Sequence, residues 1–125
     1  SALWGMATIQ VRTGKFDESL ALFAEATPVV GDDIDFLADY ARAIGIAGAQ
    51  RNDPSMLDDA WARFERIYQR DSEHTLNLQN WAITHFYMGN YAEAWQKLKL
   101  AEATPRHEVL DAKFLDALQS KMPRP

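Results

Sequence analysis

Residues 88–105, MGNYAEAWQKLKLAEATP, decide the fold. Gly89 closes one apolar-periodic segment and a second begins at once. In the second, Tyr91, Ala94, Trp95, Leu98 and Ala101 recur every three or four residues, which is one face of a helix over 91–103. Upstream, Leu78, Trp81, Ala82, His85 and Phe86 draw the same face over residues 73–88. Pro105 follows the second segment. The stretch therefore predicts two amphipathic helices folded back on each other through a glycine turn.

The rest of the chain repeats this unit. Residues 2–13 place Leu3, Met6, Ala7 and Gln10 on one face, and residues 16–27 place Phe16, Leu20, Phe23 and Ala26 or Thr27 together. Asp32 and Asp33 are expected to cap a helix running to about Ala49, with Phe36, Leu37, Tyr40, Ala41 and Ile44 inward. Asp53-Pro54 reads as a cap followed by proline at the first helical position, opening a helix to about Gln69 that carries Leu57, Trp61, Phe64 and Tyr68. A last helix is expected over about 107–121, with Val109, Leu110, Phe114, Leu115 and Leu118 apolar. The prolines, Pro28 among them, are expected between helices or at the end. Nineteen alanines suit close helix packing, and strict alternation is scarce.

Spacing ties the helices into pairs. Leu3 to Leu37, Ala7 to Ala41, Leu57 to Tyr91, Ala60 to Ala94 and Phe64 to Leu98 are each 34 residues apart. Leu37 to Leu78 and Phe23 to Phe64 are 41 apart, so seven residues are inserted between Ala41 and Leu57. In this register repeat one offers Leu3, Met6-Ala7, Gln10, Gly14, Phe16, Ser19, Phe23 and Ala26. Repeat two offers Leu37, Tyr40-Ala41, Ile44, Leu57, Ala60, Phe64 and Ile67, without the turn glycine. Repeat three offers Leu78, Trp81-Ala82, His85, Gly89, Tyr91, Ala94, Leu98 and Ala101. This pattern resembles the tetratricopeptide repeat, a 34-residue helix–turn–helix unit. The resemblance implies an all-α fold of about seven helices: three helical hairpins in a right-handed superhelical stack plus a C-terminal capping helix. As one domain over 1–125, repeat one covers about 1–33, repeat two about 34–74, repeat three about 75–106 and the cap about 107–121. Seven residues amount to about two helical turns, so repeat two is expected to be an elongated hairpin with GIAGAQRNDPSM (45–56) at its tip.

The segments DIDFLADYARAIGIAGAQ, LDDAWARFERIYQRDSEHTLNLQNWAITHFYMGNYAEAWQKL and TPRHEVLDAKFLDALQSK also resemble the tetratricopeptide domain of bacterial c-type cytochrome maturation (haem lyase assembly) factors. Those domains carry a similar first helix, a longer connection in the same repeat and an extra last helix. The resemblance implies that the domain holds the C-terminal segment of an apocytochrome, in the periplasm, with a membrane anchor upstream. Pilus-assembly and other envelope repeat proteins stand as the alternative; outside that setting the expected compartment is cytoplasmic.

Composition sets outer limits. The 125 residues are 47% hydrophobic and 25% charged, a globular balance long enough to bury a core. There is no cysteine, hence no thiolate chemistry and no cysteine-based zinc site. A net charge of −5 argues against nucleic acid as partner. No apolar run approaches the roughly 18 residues of a membrane span. No signal peptide is visible, and an opening in helical sequence without an initiator Met leads to the expectation of a fragment of a longer protein.

Catalytic signatures are missing: there is no HExxH, no phosphate-binding glycine loop and no GxSxG. His85 falls where the repeat places a packing aromatic and reads as a core-edge histidine; His74 and His107 complete the set. Asp32, Asp33 and Asp35 lack the spacing and closing glutamate of a calcium loop and read as helix capping. No enzyme activity, catalytic residue, cofactor or metal is expected.

The repeat register instead directs attention to the non-core positions of the first helices, which in this family line the concave side. These are Trp4, Thr8, Val11 and Arg12; Asp35, Ala38, Asp39, Arg42 and Ile46; and Leu76, Gln79, Asn80, Ile83, Phe86 and Tyr87. The binding residues expected there are Trp4, Thr8, Arg12, Asp35, Asp39, Arg42, Gln79, Asn80, Ile83, Phe86 and Tyr87. Aromatic and aliphatic groups mixed with amides and balanced charges suit an amphipathic helix or an extended peptide with an apolar anchor. Two arginines beside two aspartates make a dicarboxylate clamp a poor fit. Self-association through the edge near Trp4 is the competing expectation.

Overall fold

Side chains and turns set the helix limits. In the computed structural model, which describes residues 1–105 and 110–125, the order is α1 (Ala2–Arg12), α2 (Phe16–Val30), α3 (Ile34–Arg51), α4 (Pro54–Arg70), α5 (Thr75–Tyr87), α6 (Tyr91–Glu102) and α7 (Ala112–Lys121). The described residues are all-helical, with seven helices and no strand. His107 and Val109, expected in the last helix, lie outside the described residues. Asp33, Asp53 and Asp111 each accept hydrogen bonds from the amides two and three residues ahead, satisfying donors that a helix start leaves free. His74 does the same for α5, its Nδ1 accepting from the Asn77 amide at 3.1 Å.

The hairpin turns share one construction. Gly14 and Gly89 take the left-handed conformation (φ 76° and 78°), and the next residue's amide bonds back five residues, Lys15 to Gln10 and Asn90 to His85, both at 2.9 Å. Repeat two has no glycine in register, yet builds the same ending: Asn52 adopts φ 49° and the Asp53 amide reaches the Gly48 carbonyl at 2.9 Å. Residues 45–56, expected at the tip of an elongated hairpin, are helical except at the turn rather than a separate loop. They lengthen both helices, so α3 runs on to Arg51, α4 starts at Pro54, and the turn is Asn52-Asp53 alone. Gly45 and Gly48 lie inside α3 and are buried because neighbouring helices press on them; a Cβ on Gly45 would overlap the Thr84 methyl.

Two further expectations need correction. Pro28 lies inside α2, near its end. Only the Ala24 carbonyl loses a partner there, and Ala24 is exposed to water. Thr27 Oγ1 donates to the Phe23 carbonyl at 2.9 Å, and Val30 packs on the core, so the turn continues. On α1 the buried side is Ala7 and Val11, flanked by Leu3 and Trp4, while Met6 is 50% exposed.

Packing follows the register. α1 pairs with α2, α3 with α4 and α5 with α6; the inner helices α1, α3 and α5 also pack in sequence, and α2 and α4 each touch the next inner helix. Ala7, Ala41 and Ala82 on the inner helices and Ser19, Ala60 and Ala94 on the outer ones are fully buried. Their small size lets each hairpin close tightly, and Ser19 Oγ donates to the Ala7 carbonyl at 2.9 Å. Phe23, Phe64 and Leu98 fill the space beside them. Tyr40 then stacks on Phe23 at 5.1 Å, and Trp81 on Phe64 at 5.7 Å, so one device joins each inner helix to the preceding hairpin.

Candidate functional site: a groove between the inner helices and the last helix

A hollow of about 460 Å³ opens between α1, α3, α5 and α7. Arg12 from α1, Arg42 and Gln50 from α3, and Ile83, Phe86 and Tyr87 from α5 line it, and α7 supplies Lys113, Phe114 and Ala117 as a further wall. A second hollow of about 400 Å³ lies outside α6 beside the C-terminal tail, but holds none of the expected residues, and Arg124 already lies over Trp95 and pairs with Glu102 there.

The expected residues divide three ways. Arg12, Arg42, Ile83, Phe86 and Tyr87 meet in the groove, with Val11 and Ile46 at its floor. Tyr87 is 47% exposed and presents its ring to solvent. Phe86 is half-buried and packs edge-on against Phe114 at 5.7 Å and against Tyr91, so it supports the wall as much as it forms one.

Trp4, Asp39 and Asn80 are not free groove residues. They form a polar relay beneath it: Asp39 accepts from Trp4 Nε1 and from Asn80 Nδ2, both at 3.1 Å, and so ties α1, α3 and α5 together. Asn80 and Ala38 are fully buried, and Trp4 packs edge-on against Phe36. Inner-helix positions that a register argument turns outward are here covered by a neighbouring inner helix, Asn80 by α3.

Thr8, Asp35 and Gln79 are spent locally. Thr8 Oγ1 donates to the Trp4 carbonyl. Asp35 lies at 2.7 Å from His74 Nε2, away from the groove. Gln79 Oε1 accepts from the Asp111 amide at 2.9 Å, fastening the start of α7 to α5.

Arg42 is the group under most tension. Its Nη1 reaches Asn80 Oδ1 only at 3.4 Å, its Nη2 is 4.0 Å from Asp39, and its Nε is buried without a protein partner. Burial pushes its pKa down, Asp39 pushes back, and the charge of Arg12 adds to the downward shift. On the opposite side of the repeat, His85 is half-buried, stacks on Trp61 at 4.6 Å and has its Nδ1 3.3 Å from the side-chain Nδ2 of Asn90, a core-edge environment; burial and then Lys97 lower its pKa.

Gln50 and Lys113 line the groove without having been expected there, and Phe114, expected only as an apolar residue of the last helix, joins them. Gln50 follows Arg42 and Ile46 at four-residue spacing and shares their face because α3 runs past Ala49 to Arg51. Nothing local in α7 says which side of the stack it joins.

No protein-family model, curated protein or solved structure matches the chain. Among the described residues no helix is long and apolar enough to cross a membrane.

Proposed function

We propose that the chain is a tetratricopeptide-type binding scaffold, without catalysis of its own, that holds a peptide or helix in the groove between α1, α3, α5 and α7. The observation that carries this is Tyr87, a large ring left 47% exposed at the edge of a hollow whose wall is Ile83 and Phe86. An aromatic left open beside an apolar wall and two arginines is the composition of a binding hot spot. The resemblance to cytochrome-maturation domains nominates the C-terminal segment of an apocytochrome, in a periplasmic setting, as the ligand. Titration calorimetry with helical C-terminal apocytochrome peptides tests it: saturable binding lost in Tyr87→Ala is expected, and silence across the set removes the apocytochrome assignment.

A second reading has its own observation. Met6 and Ile9 are 50% and 59% exposed on α1. Their counterparts in the register, Tyr40 and Ala43 and then Trp81 and Thr84, pack against the preceding hairpin. This edge fits an assembly module of another envelope complex, such as pilus assembly. Light scattering over a concentration range separates the two: a monomer at all concentrations that still binds peptide removes this second reading.

A further inference from the structure

Away from the groove, the outer helix of the second hairpin carries its own concentration of positive charge. A cleft of about 150 Å³ opens where α4 runs past the start of α3. Leu37 and Ile67 form its apolar floor, and Arg63, Arg66 and Arg70 stand around it. No acidic side chain among the described residues lines it, although the chain as a whole has a net charge of −5.

The three arginines are not equivalent. Arg63 is in use: its Nε donates to Asp59 at 2.9 Å and its guanidinium lies over the Tyr40 ring at 4.7 Å. Arg66 has no hydrogen bond or ion pair among the described residues, and Arg70 reaches only the Asp32 carbonyl, at 3.5 Å. Both are exposed. The stacking of repeats does not call for them. Lys97 stands at the position of Arg63 in repeat three, but the positions of Arg66 and Arg70 hold Leu100 and Thr104 there, and Glu25 and Val29 in repeat one.

Arg66 and Arg70 are four residues apart on one helix, so they leave α4 about 6 Å apart along its axis. A single carboxylate is too small to bridge that distance. Two acidic side chains four apart on a helix, or two apart on a strand, match it. Between the charges there is room for one apolar side chain, since a cavity of about this volume takes a benzene-sized group. A lipid acyl chain is too large for it. An apolar centre rimmed by arginine is the composition of a protein interface.

We propose that this cleft is a second docking site, independent of the groove, for an acidic polypeptide segment. Two of its carboxylates pair with Arg66 and Arg70, while an apolar side chain on the same face enters between them onto Leu37 and Ile67.

Random-sequence peptides with acetylated N-termini and amidated C-termini, so that only side chains carry charge, are passed over the immobilised protein. Retained peptides are expected to combine Asp or Glu with Leu, Ile or Phe. Their binding should weaken about tenfold or more in Arg66→Gln/Arg70→Gln, and about tenfold when the apolar residue becomes Ser. High salt should weaken it as well. It should persist in Tyr87→Ala, which reports the groove, and in Lys99→Gln/Lys121→Gln, which removes the same charge elsewhere. Both arginines are exposed and Gln is a good helix former, so the circular dichroism spectrum of the double variant should match the parent. Acidic peptides bound equally well by Arg66→Gln/Arg70→Gln, or weakened as much by Lys99→Gln/Lys121→Gln, overturn the proposal, and so does retention of no acidic peptide. Binding to vesicles of mixed phosphatidylglycerol and phosphatidylcholine that needs Arg66 and Arg70, with no acidic peptide retained, overturns it in favour of a lipid surface.

Discussion

Lys97 holds its Nζ 3.8 Å above the ring of Trp81. One repeat earlier the corresponding pair is Arg63 over Tyr40, at 4.7 Å. An outer-helix cation therefore covers the aromatic that each inner helix inserts into the preceding hairpin. In repeat one the corresponding residues are Leu22 and Met6, and the pairing is gone. A cation over an indole face contributes about 1 kcal/mol when partly desolvated. Lys97→Ala is expected to lower the free energy of unfolding by about that amount, while Lys99→Ala, on the exposed side of α6, changes it by less than about 0.5 kcal/mol. Urea titrations of both variants measure the difference.

His85 gives the joint between repeats two and three a pH dependence. Its folded pKa lies below the ordinary 6.5, through burial first and Lys97 second, opposed by Glu93. The unfolded chain therefore binds the proton more readily. The stability associated with neutral His85 is present above about pH 6.5 and is lost as the pH falls toward the folded pKa. His85→Phe keeps a ring against Trp61 and removes the proton site. Urea midpoints from pH 7.5 down to about 5 should fall more steeply for the parent than for His85→Phe, and parallel curves would contradict the assignment.

Gly45 and Gly5 should answer the same substitution with opposite signs. A methyl on Gly45 overlaps Thr84 and crowds Ala60, so Gly45→Ala is expected to destabilise by about 1–3 kcal/mol. A Cβ on Gly5, within α1, meets nothing within 4 Å, so Gly5→Ala should stabilise by about 0.5–1 kcal/mol. Thermal or urea unfolding reads both.

Phe86 and Tyr87 are neighbours in sequence with different duties. Phe86 contacts Tyr87, Tyr91 and Phe114, each with centroids 5.7 Å away. Phe86→Ala, at a half-buried position, is expected to cost about 1–3 kcal/mol of stability and to loosen α7. Tyr87→Ala, at an exposed position, should stay within about 0.5 kcal/mol of the parent and act on ligand binding instead. A Phe86→Ala protein as stable as the parent would show that the α7 wall does not depend on this ring.

What could be read in the sequence was whatever repetition and local chemistry impose. Ala7 and Ala41, or Ala60 and Ala94, recur because a helix crossing needs a small residue at each equivalent contact, and Asp53-Pro54 announces a helix start in two residues. Asn52 was illegible as a turn because Asn replaces glycine only where the surrounding helices demand a left-handed residue. The groove was harder. Asp35 and Asp39 share a helix face pattern with Arg42, but His74, Trp4 and Asn80, remote along the chain, decide which way their charge is used. Register counts positions within one helix, whereas burial of Asn80 and Ala38 depends on the inner helices packed beside them.

The wall contributed by α7 has a consequence for when the site exists. Gln79 and Phe86 wait on α5 for Asp111 and Phe114, so the first three hairpins alone make a trough with one side missing. The fourth side of the hollow therefore depends on the docking of a single ten-residue helix that follows all three inner helices in the chain.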